Sequence, residues 1–411
     1  MIKREKYLAR IRPFIDKPVI KAITGIRRCG KSTLLGQIAD MLIDGGVVQE
    51  QIITINKELF EFDFIRNYAD LHTYISAKAK LKKVRYYLFI DEIQEIDGWE
   101  KAVSSFLAEG KYDIYISGSN ARMLSSDLAT LITGRYVEFK MYPFTYAEFR
   151  EKILLNKNNS LLPNAFSYFL KYGGFPGLHY LQWDEEVLRQ YLTSLYSTIV
   201  LKDLVARHQI KDVVMLNHIL DFIAINCGNI TTAKSISDFS KSQGRRVTTD
   251  TVLNYLEYAN SALLIHKIRR YDMQGKRLLE TFEKYFVGDT GLSFALVGYT
   301  PEMVPGRLEN VVLIELLSRG FNVNIGKNRN REIDFIAQKG NDRVYLQVCT
   351  TLVGEKVYER EYGAYDGIDD HFPKYVLSLD EAGFSSTADG IRWMNVEQFL
   401  LGDDTLARGN S

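Results

Sequence analysis

The chain predicts an α/β fold built on a parallel sheet and a phosphate-binding loop, with helical and mixed segments behind it. Three observations carry that expectation. Residues 25–32 read Gly-Ile-Arg-Arg-Cys-Gly-Lys-Ser, which fits the pattern G-x-x-x-x-G-K-[ST]. A short, mostly apolar run at 19–24 precedes this octet, and residues 33–42 follow with apolar side chains at helical spacing. Further on, two runs at 86–92 and 113–117 read as buried strands, and the first ends in a pair of carboxylates.

Each residue type in the octet has a physical task. Gly25 and Gly30 let the backbone turn where a Cβ would clash. The N–H groups of Gly25, Ile26, Arg27, Arg28, Cys29, Gly30, Lys31, Ser32 and Thr33 then form a concave anion site at a helix N-terminus. Lys31 reaches the β- and γ-phosphates of a nucleotide, and the Ser32 hydroxyl ligates Mg2+. Cys29 meets no chemical demand in the loop and reads as a small residue. At 86–92, Asp91 is expected to hold Mg2+ through water, and Glu92 to orient and polarise the attacking water. An Asp-Glu pair, rather than a lone Asp, favours hydrolysis over simple binding. The next strand runs into Gly118-Ser119-Asn120, where Asn120, with Ser119 second, is the candidate γ-phosphate sensor, although the triplet is also ordinary turn chemistry. Arg135 precedes another alternating strand. It is a candidate for stabilising transition-state charge, in its own subunit or across an interface, and equally an ordinary salt-bridge arginine.

Taken together, residues 24–35, the Asp91-Glu92-Ile93-Gln94 strand end, Ser117-Gly118-Ser119-Asn120, Thr133-Gly134-Arg135, Tyr142-Pro143-Phe144 and Glu148-Phe149 resemble one family. It is the archaeal and bacterial AAA-type ATPases that carry a C-terminal domain of unknown function resembling a restriction-endonuclease fold. The resemblance spans nearly the whole chain and implies ATP binding and hydrolysis.

Composition sets the outer bounds. The 411 residues suit two to four domains. Lys+Arg 52 against Asp+Glu 51 leaves a formal charge of +1, so nucleic acid has no global basic field to meet. No apolar run approaches the roughly 18 residues of a membrane span. Cys29, Cys227 and Cys349 are far apart, and the six histidines lack metal-ligand spacing. A cytoplasmic protein without structural zinc is expected.

Four segments follow from the patterning. Residues 1–150 form the P-loop ATPase core. Residues 151–210 form a helical lid, in which the glycines at 173, 174 and 177 are a hinge or a helix–helix connection. Residues 211–300 read as three helices and a hairpin, a winged helix. Arg245, Arg246, Arg269, Arg270, Lys276 and Arg277 are available to phosphates there. The reading helix, however, carries Asp250 and Glu257 with no Arg or Lys between them, and only Asn254 suits base edges. Packing or protein contact is therefore favoured over DNA contact. Residues 301–411 resemble nuclease-like folds, in which Glu and Asp hold Mg2+ and a lysine helps activate water. Here the E-x-K position reads Gln347-Val348-Cys349. Glu309 or Glu315 with Asp334 remains as a weak metal site, and Lys356 is the one nearby lysine. A degenerate domain for docking or assembly is expected.

The functional expectation is a Mg2+-dependent ATP hydrolase of the AAA type that couples nucleotide state to lid and C-terminal movement. The alternative is a nucleotide-gated switch acting on a protein or DNA partner with little turnover. An ATP-gated nuclease comes third. Self-assembly into a homo-oligomer is left open.

Overall fold

A computed structural model of the protein describes residues 2–81, 83–118, 134–157, 159–381 and 390–402, except for the side chains of residues 159, 280 and 281. The chain divides into two compact units, Met1–Tyr142 with Ser261–Leu263, and Pro143–Asn260 with Leu264–Ser411.

The first unit carries the expected parallel sheet. Its strands are β1 (Ile20–Gly25), β2 (Ile52–Asn56), β3 (Tyr86–Asp91), β4 (Tyr112–Gly118) and β5 (Tyr136–Met141). They lie in the order β2-β3-β4-β1-β5, and every pair is parallel. The order positions the site, because β4 separates β1 from β3. The loop after β1 and the acidic end of β3 thus flank one strand tip.

Alternation along the strands sends successive side chains to opposite faces. On one face Ile20, Ala22, Leu88, Ile90, Ile114 and Ile116 form a fully apolar layer. It packs on Leu71 and Ile75 of helix Tyr68–Lys78 and on Val103 and Phe106 of helix Trp99–Glu109. Burying each such side chain contributes about 1.5–3 kcal/mol. The first of these helices starts where it does because the Asn67 side chain accepts from the N–H groups of Ala69 and Asp70. The second ends at Gly110, whose φ of 70° stops it.

The opposite face is polar at both ends. Near the strand starts, Lys21 and Asp113 form a fully buried ion pair. The Tyr115 hydroxyl donates to Asp113 Oδ2 at 2.9 Å, and so does the Asp16 backbone N–H at 3.0 Å. Burial pushes the Lys21 ammonium below its ordinary pKa, with Asp113 opposing. Near the strand ends lie Asp91 and Ser117, described below.

In the second unit, helices Tyr146–Leu155, Ala165–Tyr172 and Glu185–Ile199 fill the segment expected to be helical. Gly173 and Gly174 are tightly packed rather than free to bend. A Cβ at Gly173 would collide with the Asp289 carboxylate, and one at Gly174 with the Phe144 carbonyl. The Gly174 N–H donates to Asp289 Oδ2 at 2.8 Å, and Phe144 N–H to the Gly174 carbonyl at 2.7 Å. Of the two readings of these glycines, this packing fits the helix–helix connection.

Helices Val213–Ile225, Ala233–Ser242 and Thr249–Ser261 come next. The remaining strands are β6 (Ile230–Thr231), β7 (Ile265–Asp272), β8 (Arg277–Val287), β9 (Asn322–Asn328), β10 (Arg331–Lys339), β11 (Asp342–Val348), β12 (Lys374–Ser378) and β13 (Ile391–Asn395). They make one sheet in the order β13-β12-β11-β10-β9-β7-β8-β6. The β7–β8 hairpin and the C-terminal strands share it, because β7 pairs in parallel with β9 through Arg270↔Ile325 to Asp272↔Lys327. Among the described residues no helix is long and apolar enough to cross a membrane.

Candidate nucleotide site

The site starts where β1 stops. Gly25 approaches β5 so closely that a Cβ there would stand 2.5 Å from the Met141 carbonyl. Gly30 takes a φ of 106°, open to glycine, and starts helix Lys31–Asp44. Arg28 also has positive φ, 67°. Strand, glycine loop and helix therefore follow one another as the octet requires.

Within the loop the side chains point different ways. Lys31 is buried, and its ammonium donates to the Gly25 and Ile26 carbonyls at 3.2 and 3.4 Å. Ser32 and Thr33 are exposed at the helix start, and Arg28 is exposed beside them. Arg27 lies 3.9 Å from the Glu58 carboxylate. Ile26 is buried, and so is Cys29, whose thiol faces the Met141 carbonyl at 3.7 Å. Burial pushes the Cys29 thiol above its ordinary pKa, with Lys31 and Arg4 opposing. A small, inert, inward-facing residue is what the position holds.

The acidic half comes from β3 and the turn after it. Ser117, near the tip of β4, donates its hydroxyl to Asp91 Oδ1 and accepts the Glu92 N–H at 3.3 Å. Asp91 Oδ2 is buried with no hydrogen-bond partner. Glu92 sits in left-handed backbone, φ 53°, where a non-glycine residue is strained. Its carboxylate lies 3.7 Å from the Lys31 ammonium and accepts from the Gln94 amide at 2.5 Å. Lys31, Asp91, Glu92 and Ser117 thus form one connected, buried group.

A divalent cation fits this group. The orphaned Asp91 oxygen offers it a carboxylate, and an exposed hydroxyl stands beside Lys31 on Ser32.

Asn120 and Ser119 lie outside the described residues. Arg135 is exposed, and its carbonyl accepts from Ile20 N–H, at the start of β1. The five steps from Ile20 to Gly25 are about 16 Å at about 3.3 Å per residue. Arg135 therefore stands at the far end of the sheet from its own loop, and the structure does not bring it to Lys31 and Glu92.

Three residues belong to the site that motif reading did not select. Ser117 bridges the two acids. Gln94 holds Glu92. Arg4, 2% exposed, donates to the Cys29 carbonyl at 3.3 Å and to the Tyr142 carbonyl at 2.9 Å, tying the loop to the end of β5. Ser117 had a signal: Asp113, Tyr115 and Ser117 share one face of a strand whose intervening residues are isoleucines.

Residues 17–150 match the family described as an AAA domain, and residues 164–303 match a domain of unknown function (DUF8612). A Haemophilus influenzae protein described as uncharacterized is 36% identical over 401 residues, covering 98% of this chain and 99% of its own. The uncharacterized protein MJ1544 of Methanocaldococcus jannaschii is 30% identical over 361 residues, covering 84% of this chain and 78% of its own. Among solved structures, the Walker-type ATPase PABY2304 of Pyrococcus abyssi superposes with a TM-score of 0.52 at 15% identity, over 72% of this chain and 96% of that one. That likeness is one of fold. Motif, strand order and the AAA-domain match agree, and the chain belongs to the AAA-type P-loop ATPases, with a segment of the unknown-function domain behind the ATPase domain.

Proposed function

We propose that the protein binds ATP with Mg2+ and hydrolyses it, and that the nucleotide state alters the segments behind the ATPase domain. The observation that carries this reading is the single buried group of Lys31, Asp91, Glu92 and Ser117 beside the glycine loop.

The loop N–H groups cradle the triphosphate, and the Lys31 ammonium leaves its own carbonyls for the β- and γ-phosphates. Ser32 and Asp91 hold Mg2+, which supplies charge neutralisation at the phosphate oxygens. Ser117 keeps the Asp91 carboxylate oriented through its hydroxyl. Movement of Lys31 toward phosphate removes the cation from Glu92, whose carboxylate then accepts a proton from the attacking water. Asn120 is proposed as the γ-phosphate sensor. Arg135 is out of reach of its own loop, so a role for it at phosphate needs a second copy of the chain.

A second reading, a nucleotide-gated switch with little turnover, draws on the way Lys31 and Gln94 both engage Glu92. Such a protein loads ATP and acts on a protein or DNA partner. Contact with DNA through the segment 211–300, and a place in the cytoplasm, belong to the same proposal.

The test is steady-state ATP hydrolysis by the purified protein, with and without double-stranded DNA, beside Glu92→Gln. Turnover that vanishes in the variant supports the hydrolase. Tight ATP binding with almost no turnover in the parent protein supports the switch. No ATP binding at all overturns both.

A further inference from the structure

A second group of buried charges lies in the second unit, in a cleft of about 1110 Å3. Its carboxylates come from three elements. Glu309 stands on helix Val304–Ser318, Glu332 and Asp334 on β10, and Glu361 on helix Glu355–Gly363. A lysine on β8 reaches into the middle of them. The Lys284 ammonium is 2.9 Å from Glu332, 3.0 Å from Glu309 and 3.4 Å from Asp334, with its side chain only 4% exposed.

The surroundings fix this arrangement. The second Asp334 oxygen accepts the Val348 N–H at 2.9 Å. Gln347 accepts the Asp334 N–H at 2.7 Å and donates to Glu361 at 2.8 Å. Arg360 donates to the other Glu361 oxygen at 2.8 Å, and Arg270 stands 3.8 Å from Glu332. Four carboxylates thus meet three cations, all from the chain itself. Burial, then Asp334, raises the Glu309 pKa to about 8. Of the other sequence candidates, Glu315 stands apart, paired with Arg319 at 2.6 Å, whereas Lys356 is an exposed residue on the lining of the cleft. Among the described residues no three His, Cys, Asp or Glu side chains are arranged to hold a metal ion.

We propose that Lys284 is the resident cation of this cleft: its ammonium fills the space among Glu309, Glu332 and Asp334 and supplies their counter-charge, and so closes the cleft to metal. Carboxylates buried without a cation are costly, and an ammonium in contact with all three side chains offsets that cost. A metal entering beside it meets a positive charge a few ångströms away in a medium that screens poorly. Entry therefore requires Lys284 to leave. The inference is independent of the nucleotide reading, because every residue in it lies beyond Pro143.

The experiment is thermal unfolding of the nucleotide-free, full-length protein in EDTA and in millimolar MnCl2. The parent protein is expected to unfold at the same temperature in both. Lys284→Ala is expected to unfold lower in EDTA and to regain several degrees with Mn2+, a gain lost in Lys284→Ala/Asp334→Asn. If Lys284→Ala is recovered only unfolded, refolding is measured with and without Mn2+, and Mn2+-dependent refolding supports the proposal. It is overturned if Mn2+ raises the melting temperature of the parent protein and Asp334→Asn abolishes that rise. It is equally overturned if Mn2+ neither raises the melting temperature of Lys284→Ala nor promotes its refolding.

Discussion

Lys31 and Lys284 both meet carboxylates, and the two meetings differ. Lys31 is 3.7 Å from one carboxylate and shares its remaining donors with two loop carbonyls at 3.2 and 3.4 Å. Lys284 is within 3.4 Å of three carboxylates. A phosphate offers Lys31 a better partner than it has, whereas no ordinary ligand offers Lys284 more than it already holds. Both side chains are 4% exposed, so burial does not separate a poised cation from a locked one. The number and chemistry of the partners do. An ammonium on neutral carbonyls is held by charge–dipole contacts, and one beside the Glu332 and Asp334 carboxylates is held by full charges.

Four outcomes sharpen or break this contrast. The largest effect is expected from Lys31→Ala, which should weaken ATP binding by about 100-fold or more through loss of a phosphate-bound charge. Titration with a fluorescent ATP analogue measures it, and unchanged affinity would remove Lys31 from the phosphate. Next, Glu92→Gln should keep ATP affinity and lower turnover by about 10²–10⁴-fold, the range of a lost general base. Wild-type turnover in a single-turnover assay would place the base elsewhere.

A smaller change is expected from Ser117→Ala. Freeing Asp91 Oδ1 from its hydroxyl partner should raise the Mg2+ concentration for half-maximal hydrolysis about 10–100-fold, as for other lost supports of a metal ligand. An unchanged Mg2+ requirement would reduce Ser117 to packing.

The smallest effect concerns pH in the cleft. Glu309 faces Lys284, Glu332 and Asp334, and its pKa stands at about 8 against an ordinary 4.5. The folded state then holds a proton that the unfolded state releases between those values. Stability from this group is full below about pH 4.5 and is lost as pH rises through about 8. Glu309→Gln should flatten that part of the profile. Urea unfolding at mildly acidic and mildly alkaline pH compares the two proteins, and parallel profiles would deny Glu309 its proton.

The nucleotide site was legible because its parts are contiguous in sequence. Gly25 to Ser32 carry their own spacing, and Asp91-Glu92 closes an apolar run, so the parallel α/β core followed from local pattern. What stayed hidden depends on register. Ser117 meets Asp91 across 26 positions, and Lys284 meets Asp334 across 50. Neither distance leaves a mark in one dimension. Arg135 shows the same limit from the other side. Its place before a strand could be read, but the end of the sheet it occupies depends on β5 running parallel to β1. In the C-terminal region the Gln347-x-Cys349 departure pointed to a missing lysine. The lysine found in the cleft sits on β8, in the hairpin that the sequence pattern assigns to a winged helix.

The eight-stranded sheet governs where this chain tolerates being cut. The DUF8612 match ends at residue 303, and the backbone pairing does not, because β7 gives its outer edge to β9. A polypeptide ending near residue 303 would leave that edge unpaired along Arg270, Tyr271 and Asp272, a template for strand addition by other copies. The piece beginning after it would expose the matching edge of β9. The two lengths are thus partners in solubility, and truncated forms are expected to precipitate or to co-purify when expressed together.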